Sequence, residues 1–389
     1  MVDLLRRNRT ATPQTSPVSS RKPPRQETFY TASQWRLIWW RFRRHRLAVV
    51  GTTVLIILIL MAVFADFVAP LSPTSRSTTY VLGPPMIPVF IDDEGEFHFP
   101  PIIYGVTTER NEETLRREPK LDTSVERPLH FFVEGEPYRL WGIIESNIHL
   151  FGTPDGEPLH LLGTDNLGRD IFSRTVFALR VSLSVGLAGV FISFVIGLVI
   201  GGISGYFGGW IDFFIQRLIE LIMSIPTLPL WMTLAAIVPR DWNALQSYFA
   251  ITILLGLLGW TGLARDIRSK LISLREEDYI VAAQLGGSSD WRIITRHMLP
   301  AFTSYIIVAI SLAFPGIILG ETALSFLGFG LRPPVVSLGV LLEGGQNIRT
   351  IAQSLWVLAP TIFVILIVLA FSFMGDGLRD AADPYAEQR

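Results

Sequence analysis

The stretch Leu47–Ala69, LAVVGTTVLIILILMAVFADFVA, decides the class of fold. About 20 consecutive apolar residues let a helix cross the roughly 30 Å hydrocarbon layer of a bilayer at about 1.5 Å per residue. The run carries one acid, Asp66, near its far end, and follows Arg41, Arg43, Arg44, His45 and Arg46. Its apolar core exceeds that of a cleaved signal peptide, so it reads as a retained helix.

Comparable runs recur at about 181–205, 213–238, 245–263, 301–321 and 355–374. Composition agrees, with 49% apolar and 17% charged residues among 389, a membrane balance rather than a soluble one. The expected fold is an all-α integral membrane protein of six transmembrane helices with a β-rich extracytoplasmic insert over about 70–160. Residues 1–46 hold eleven Lys and Arg against two acids, and the 265–300 loop adds Arg265, Arg268, Lys270, Arg275, Arg292 and Arg296. The positive-inside bias therefore predicts that both termini and the 265–300 loop face the cytoplasm.

The expected organisation is a Ser/Thr/Pro/Arg-rich disordered tail over 1–30 and an interfacial helix over 31–46. The first span follows over 47–69, then the insert and its connection over 70–177, a five-helix core over 178–375, and a tail over 376–389. In the 31–46 helix, Ser33 is placed to cap, and Trp35, Trp39 and Phe42 share a face suited to the membrane surface or to packing on the rest of the protein. In the insert, VFIDDEGEFHF and HFFVEGEPYRL each set a Glu-Gly pair between β-formers, which predicts two hairpins, with a further turn at Pro154-Asp155-Gly156. This β-rich lobe either touches a soluble partner or caps the membrane domain.

Small residues recur every four positions at Gly189, Ser193, Gly197, Gly201 and Gly205. They form a stripe for close helix packing, or the lining of a conduit. Pro226, Pro229 and Pro315 interrupt spans, which suits moving helices and also occurs in static bundles. Asp66 and Glu321 fall near the outer span ends; Asp212, Arg217 and Glu220 form an expected interfacial network, with Arg217 and Glu220 paired at i, i+3.

Several chemistries lack their signatures. With no cysteine, disulfides and Cys-ligated metal sites are excluded. The three lysines, Lys22, Lys120 and Lys270, complete no phosphate-binding G-x-x-x-x-G-K-[ST] loop. The six histidines show no metal-ligand spacing, and Gly163-Thr164-Asp165 and Gly168-Arg169-Asp170 have no His partner in view. No catalytic residue, bound cofactor or metal is expected, and the basic tail suits anionic lipid rather than nucleic acid.

One polar island stands among the apolar runs: Asp278–Pro300, DYIVAAQLGGSSDWRIITRHMLP. The acids Glu276, Glu277 and Asp278 favour a helix start. Gly286 and Gly287 suit a left-handed stop, and Ser288 or Ser289 a new cap. Trp291, Ile294 and Met298 are expected on one face. The result is a rigid knob with a small-residue contact surface at Ala282 and Ala283.

This island resembles the EAA loop of ABC-importer permeases. The pattern falls on Val281-Ala282-Ala283, Gly287, His297 and Leu299-Pro300, with Val281 where the family has Glu. The segments 161–174, 180–187, 205–218, 321–334 and 374–384 are similar to the dipeptide/oligopeptide (OppC/DppC-type) permeases, and the likeness covers nearly all of 36–385. It implies a MetI-like permease core beside a homologous second permease, two cytoplasmic ATP-binding cassette subunits carrying ATP and Mg, and an extracytoplasmic substrate-binding protein. The implied coupling loop comprises Val281, Ala282, Ala283, Gly287, Trp291, His297, Leu299 and Pro300. The competing classes are an ion-coupled secondary carrier, for which no deep charge chain is seen, and a membrane-anchored receptor built on the insert.

Overall fold

Helix α1 (Gln34–Phe42) leads into α2 (Arg46–Val63), where the His45 imidazole accepts from the Ala48 amide and satisfies one free N–H of the helix start. This computed structural model describes residues 34–92, 94–110, 117–154 and 156–382. The 1–30 tail, Ser33 and the Trp35 side chain fall outside the described residues. Phe42 is buried against Ala48 and Ala381 with Ile38 beside it, whereas Trp39 points outward, so α1 packs on the end of the last helix through Phe42 and Ile38.

After the short helix α3 (Ala65–Val68) comes the insert. Strands β1 (Val89–Ile91), β2 (Phe97–Arg110) and β3 (Arg117–Pro128) form one antiparallel sheet; β4 (His130–Leu140) and β5 (Ile144–Gly152) form a second. The expected turn at Glu94-Gly95 joins β1 to β2, with Gly95 at φ 88. The second expected turn, at Glu134-Gly135, is not one. The chain runs straight through it as β4, and the register shifts between Glu134 and Tyr138. The physical reason is His149 of β5. Its ring fills the space over Gly135, where a Cβ would lie 2.7 Å from the imidazole, and its Nε2 lies 2.9 Å from the Glu136 carbonyl oxygen. The chain reverses instead at Trp141-Gly142-Ile143, with Trp141 and Gly142 at positive φ.

The membrane domain follows: α4 (Ile171–Phe207), α5 (Gly209–Ser224), α6 (Thr227–Ala235), α7 (Ala244–Arg275), α8 (Asp278–Leu285), α9 (Asp290–Arg292), α10 (Leu299–Ala301), α11 (Thr303–Phe326), α12 (Leu338–Glu343), α13 (Ile348–Gln353) and α14 (Pro360–Ala382). Among the described residues five helices are long and apolar enough to cross a bilayer: α2, α4, α7, α11 and the segment Leu355–Ala382 that ends in α14. The remaining expected span, 213–238, is broken. Its halves α5 and α6 meet at 86°. Ile225, placed before Pro226, takes an extended conformation (φ -91, ψ 129), as sterics at a pre-proline position favour. Pro315, by contrast, lies inside a continuous α11.

Two apolar clusters hold the bundle. One joins Leu55 and Leu58 of α2, Leu179 of α4, Ile318 of α11, and Ile367 and Phe371 of α14; within it Phe314 stacks on Phe371 at 4.5 Å. The other joins Val185 of α4, Ile251 and Leu255 of α7, and Ile317 and Leu324 of α11. Helix α4 is common to both. Glu321, expected near the outer end of its span, is fully buried. Its carboxyl oxygens accept from the hydroxyls of Ser182 (3.1 Å) and Ser325 (2.8 Å), and the Ser182 hydroxyl accepts from the Leu338 amide. The carboxyl therefore binds α4, α11 and the start of α12 together.

Candidate functional site

The knob stands where α7 ends. Helix α8 stops at Gly286-Gly287, and only Gly287 is left-handed, at φ 74; Gly286 stays at φ -74. The Gly287 amide donates to the Gln284 carbonyl and the Ser288 amide to the Ala283 carbonyl, which occupies the free carbonyls of the helix end. Ser289 has the extended conformation of a helix cap, without a side-chain hydrogen bond.

Beyond α9 the chain takes a π-helical turn over Ile293–Met298. This corrects the expected face of Trp291, Ile294 and Met298. Through this wider turn, closed by i→i+5 hydrogen bonds, Ile293 and Met298 point inward and are buried with Ile294 half-buried beside them, while Trp291 is 75% exposed. The buried pair joins Ile280, Phe302, Tyr206 at the end of α4, and Ile267 and Leu271 of α7 in one cluster. Polar ties reinforce it. The Tyr206 hydroxyl donates to Asp290 Oδ1 (2.6 Å), and Arg275 donates to the Tyr206 carbonyl (3.4 Å). The knob is thus fixed to two membrane helices.

The rest of the knob surface mixes exposed apolar side chains with the exposed polar groups of Asp278, Gln284, Asp290, Arg292 and Arg296. Leu285 is 86% exposed, and Tyr279, Val281 and Trp291 are exposed around it. Ala282, Gly287 and Pro300 are exposed as well, whereas Ala283, His297 and Leu299 are half-buried toward the base. Leu285 was not among the sequence-derived candidates. The available signal was an apolar residue directly before a Gly-Gly stop, where no core periodicity requires one.

Below the knob, the small-residue stripe of α4 lies against neighbouring helices. A Cβ at Gly197 would stand 3.0 Å from Leu263, at Gly201 2.4 Å from the Ala264 carbonyl, and at Gly205 2.8 Å from the Arg268 carbonyl. Ser193 donates to the Gly256 carbonyl (2.8 Å), and Gly189 faces Ile317 of α11. The face is filled by α7 and α11, with no open lining along it. Near its end Arg268 of α7 makes a two-pronged pair with Asp212 of α5 (2.5 and 2.6 Å), and Ser204 also donates to Asp212. Of the expected trio, Arg217 pairs with Glu220 (2.6 Å) while Asp212 belongs to Arg268.

Residues 197–387 match the family described as the binding-protein-dependent transport system inner membrane component, and residues 33–85 match the N-terminal TM domain of oligopeptide transport permease C. A dipeptide transport system permease protein from Lactococcus lactis is 32% identical over 356 residues, covering 90% of either chain. The chain belongs to the OppC/DppC-type family of ABC transporter permeases. Oligopeptide transport system permease proteins from Haemophilus influenzae (40% identical, 59% of this chain and 72% of that one) and Escherichia coli (38%, 59% and 74%) are also similar.

In this permease, the segment 161–174 joins the insert to the bundle. Asp165 accepts from the Leu167 and Arg169 amides and from the guanidinium groups of Arg169 (2.8 Å) and Arg174 (2.5 Å). Asp170 caps α4 through the Ser173 amide. It also meets His160 Nδ1 at 3.1 Å, so a histidine partner exists where none was expected. Among the described residues no nucleophile completes that pair, since His160 Nε2 has no hydrogen-bond partner. Thr164 ties Tyr80 and Gly83 of the insert to this segment. Among the described residues one group has metal-ligand spacing, Asp92, Glu96 and His98, where Asp92 already bonds His98 Nε2 (2.8 Å) and the Glu94 and Glu96 amides.

Proposed function

We propose that this permease forms half of the translocation path of an ATP-driven peptide importer. It stands beside a homologous permease, takes substrate from an extracytoplasmic binding protein, and receives two ATPase subunits on the 278–300 knob. In this reading the knob and both termini are cytoplasmic, consistent with the Lys and Arg around them, and ATP and Mg belong to the partner subunits. The named substrates of the relatives, dipeptides and oligopeptides, support the peptide assignment.

One observation carries the reading: the knob pairs a cap of exposed apolar side chains with a base locked to α4 and α7. Large apolar side chains left exposed on so small a knob suit a protein docking surface, and a rigid base passes displacement on to the helices. Val281, where the family pattern has an acid, sits on this exposed side, so its apolar character enlarges the cap.

Leu285→Asp tests this directly. The side chain is 86% exposed and supports no core packing, so the permease still folds and reaches the membrane. The expected result is loss of ATPase subunits on copurification in mild detergent, together with loss of ATP-dependent uptake. A variant that retains both overturns the assignment.

A further inference from the structure

The turn between β4 and β5 breaks the usual rule that turns are polar. Its sequence, Leu140-Trp141-Gly142-Ile143-Ile144, carries no charge, and the charged pair Arg139–Glu145 (2.6 Å) closes it off from the rest of the hairpin. Ile143 is 81% exposed, and Trp141 and Ile144 are exposed beside it. Among the described residues Ile143 keeps most of its surface free, and Trp141 is covered on one side only.

The position of the turn says what covers the rest. The indole N–H of Trp141 donates to the Val63 carbonyl (2.9 Å), and its ring lies 5.6 Å from Phe64. Val63 is the last residue of α2, which at 18 residues is about 27 Å long and matches the hydrocarbon thickness. Its other end carries Arg43, Arg44 and Arg46. Val63 therefore marks the bilayer boundary on the insert side. A second marker agrees: Arg180 donates to the Ala62 carbonyl (2.9 Å) and pairs with Asp66 (2.7 Å), an ion pair at the level where water begins. An apolar turn with a Trp at that level has the composition of a membrane-interface anchor.

We propose that Leu140–Ile144 dips into the headgroup–acyl boundary, with lipid as the partner of Trp141, Ile143 and Ile144. The insert is then held to the membrane at its own tip as well as through α2 and α4.

The absence of native cysteine allows a clean test. Ile143→Cys in the full chain, carrying a nitroxide label in phospholipid liposomes, is compared with Ile57→Cys on the exposed face of α2 and Glu94→Cys on the β1–β2 turn. The expected result is collision with oxygen several-fold favoured over the water-soluble nickel chelate NiEDDA, relative to the Glu94 label and in the direction of the Ile57 label. Two results overturn the proposal: nickel-chelate access equal to that at Glu94, which puts the tip in water, or low access to both reagents, which puts protein over it. Exposure of Ile143 means the substitution removes no packing, and the Ile57 and Glu94 labels verify insertion in the same preparation.

Discussion

Gly201→Ala should separate α4 from α7, and Gly202→Ala should not. At Gly201 a Cβ would lie 2.4 Å from the Ala264 oxygen, 2.9 Å from its Cα and 3.0 Å from its carbonyl carbon. All three are backbone atoms, so no rotamer change relieves the clash, and α7 must retreat by about 1 Å to restore ordinary contact. Retreat also loosens the flanking contacts at Gly197 and Gly205, which are built on the same approach. Overpacking of this kind costs about 1–3 kcal/mol. At Gly202 a Cβ meets nothing within 4 Å, leaving only the helix-propensity gain of Ala over Gly, up to about 1 kcal/mol. Two neighbouring and chemically identical substitutions thus have opposite signs. The assay is the unfolding free energy of the full chain in mixed micelles titrated with SDS, with far-UV circular dichroism as the readout. Equal stability of the two variants would refute the packing argument and free the stripe for another role.

Glu321→Ala removes the acceptor that collects Ser182 and Ser325, leaving buried hydroxyls with roughly 1–3 kcal/mol of cost each; the same SDS titration should show the loss, with Glu321→Gln closer to wild type because it keeps a carbonyl oxygen. In the β1–β2 turn, the His98 contact holds Asp92 below the usual carboxylate range, and Asp92 holds the His98 imidazole above its usual 6.5. The sign follows for each: the His98 contribution is full below 6.5 and is lost as pH rises through its higher folded value, while the Asp92 contribution is full above 3.8 and is lost as pH falls through its lower one. The turn is therefore firmest between those values and loosens on the alkaline side, where hydrogen exchange at the Glu94 and Glu96 amides, corrected for intrinsic rate, should rise; His98→Gln should abolish that rise.

The spans were legible because burial in lipid imposes long apolar runs, a signal that needs no tertiary partner. The break at Pro226 was visible only as a proline, since Pro315 carries the same local signal inside a continuous helix. What separates them is the path of the backbone around each, which the residue type does not encode. Partners of charged groups were hidden for the same reason. Asp212 has Arg217 nearby in sequence and pairs with Arg268, 56 positions away, because the stripe brings α7 against the end of α4. In the knob, motif and turn residues were readable, but Trp291 does not share the face of Ile294 and Met298, because i→i+5 hydrogen bonding in the π turn widens the repeat beyond that of an α-helix. The hairpin reversal at Trp141-Gly142-Ile143 was missed because turn rules expect polar residues, and that violation marks a site where something other than turn chemistry chose the side chains.

The proposed coupling gains definition from how few joints lie between the knob and the bundle. Tyr206, the residue that donates to Asp290 of the knob, is one position after Gly205, where α4 touches the α7 backbone. Ile267 and Leu271, which seat the knob, lie on α7 beyond Leu263 and Ala264, which meet the stripe. A push on the knob therefore reaches α4 and α7 as one body, since neither slides along the other without driving the stripe into backbone. Helix α5 joins that body through Arg268–Asp212, but α6 lies beyond the 86° break. Under the proposed function, an alternating-access cycle would place its flexure at Ile225-Pro226 and where α11 leaves the knob at Phe302, with the α4–α7 pair as the rigid arm between them.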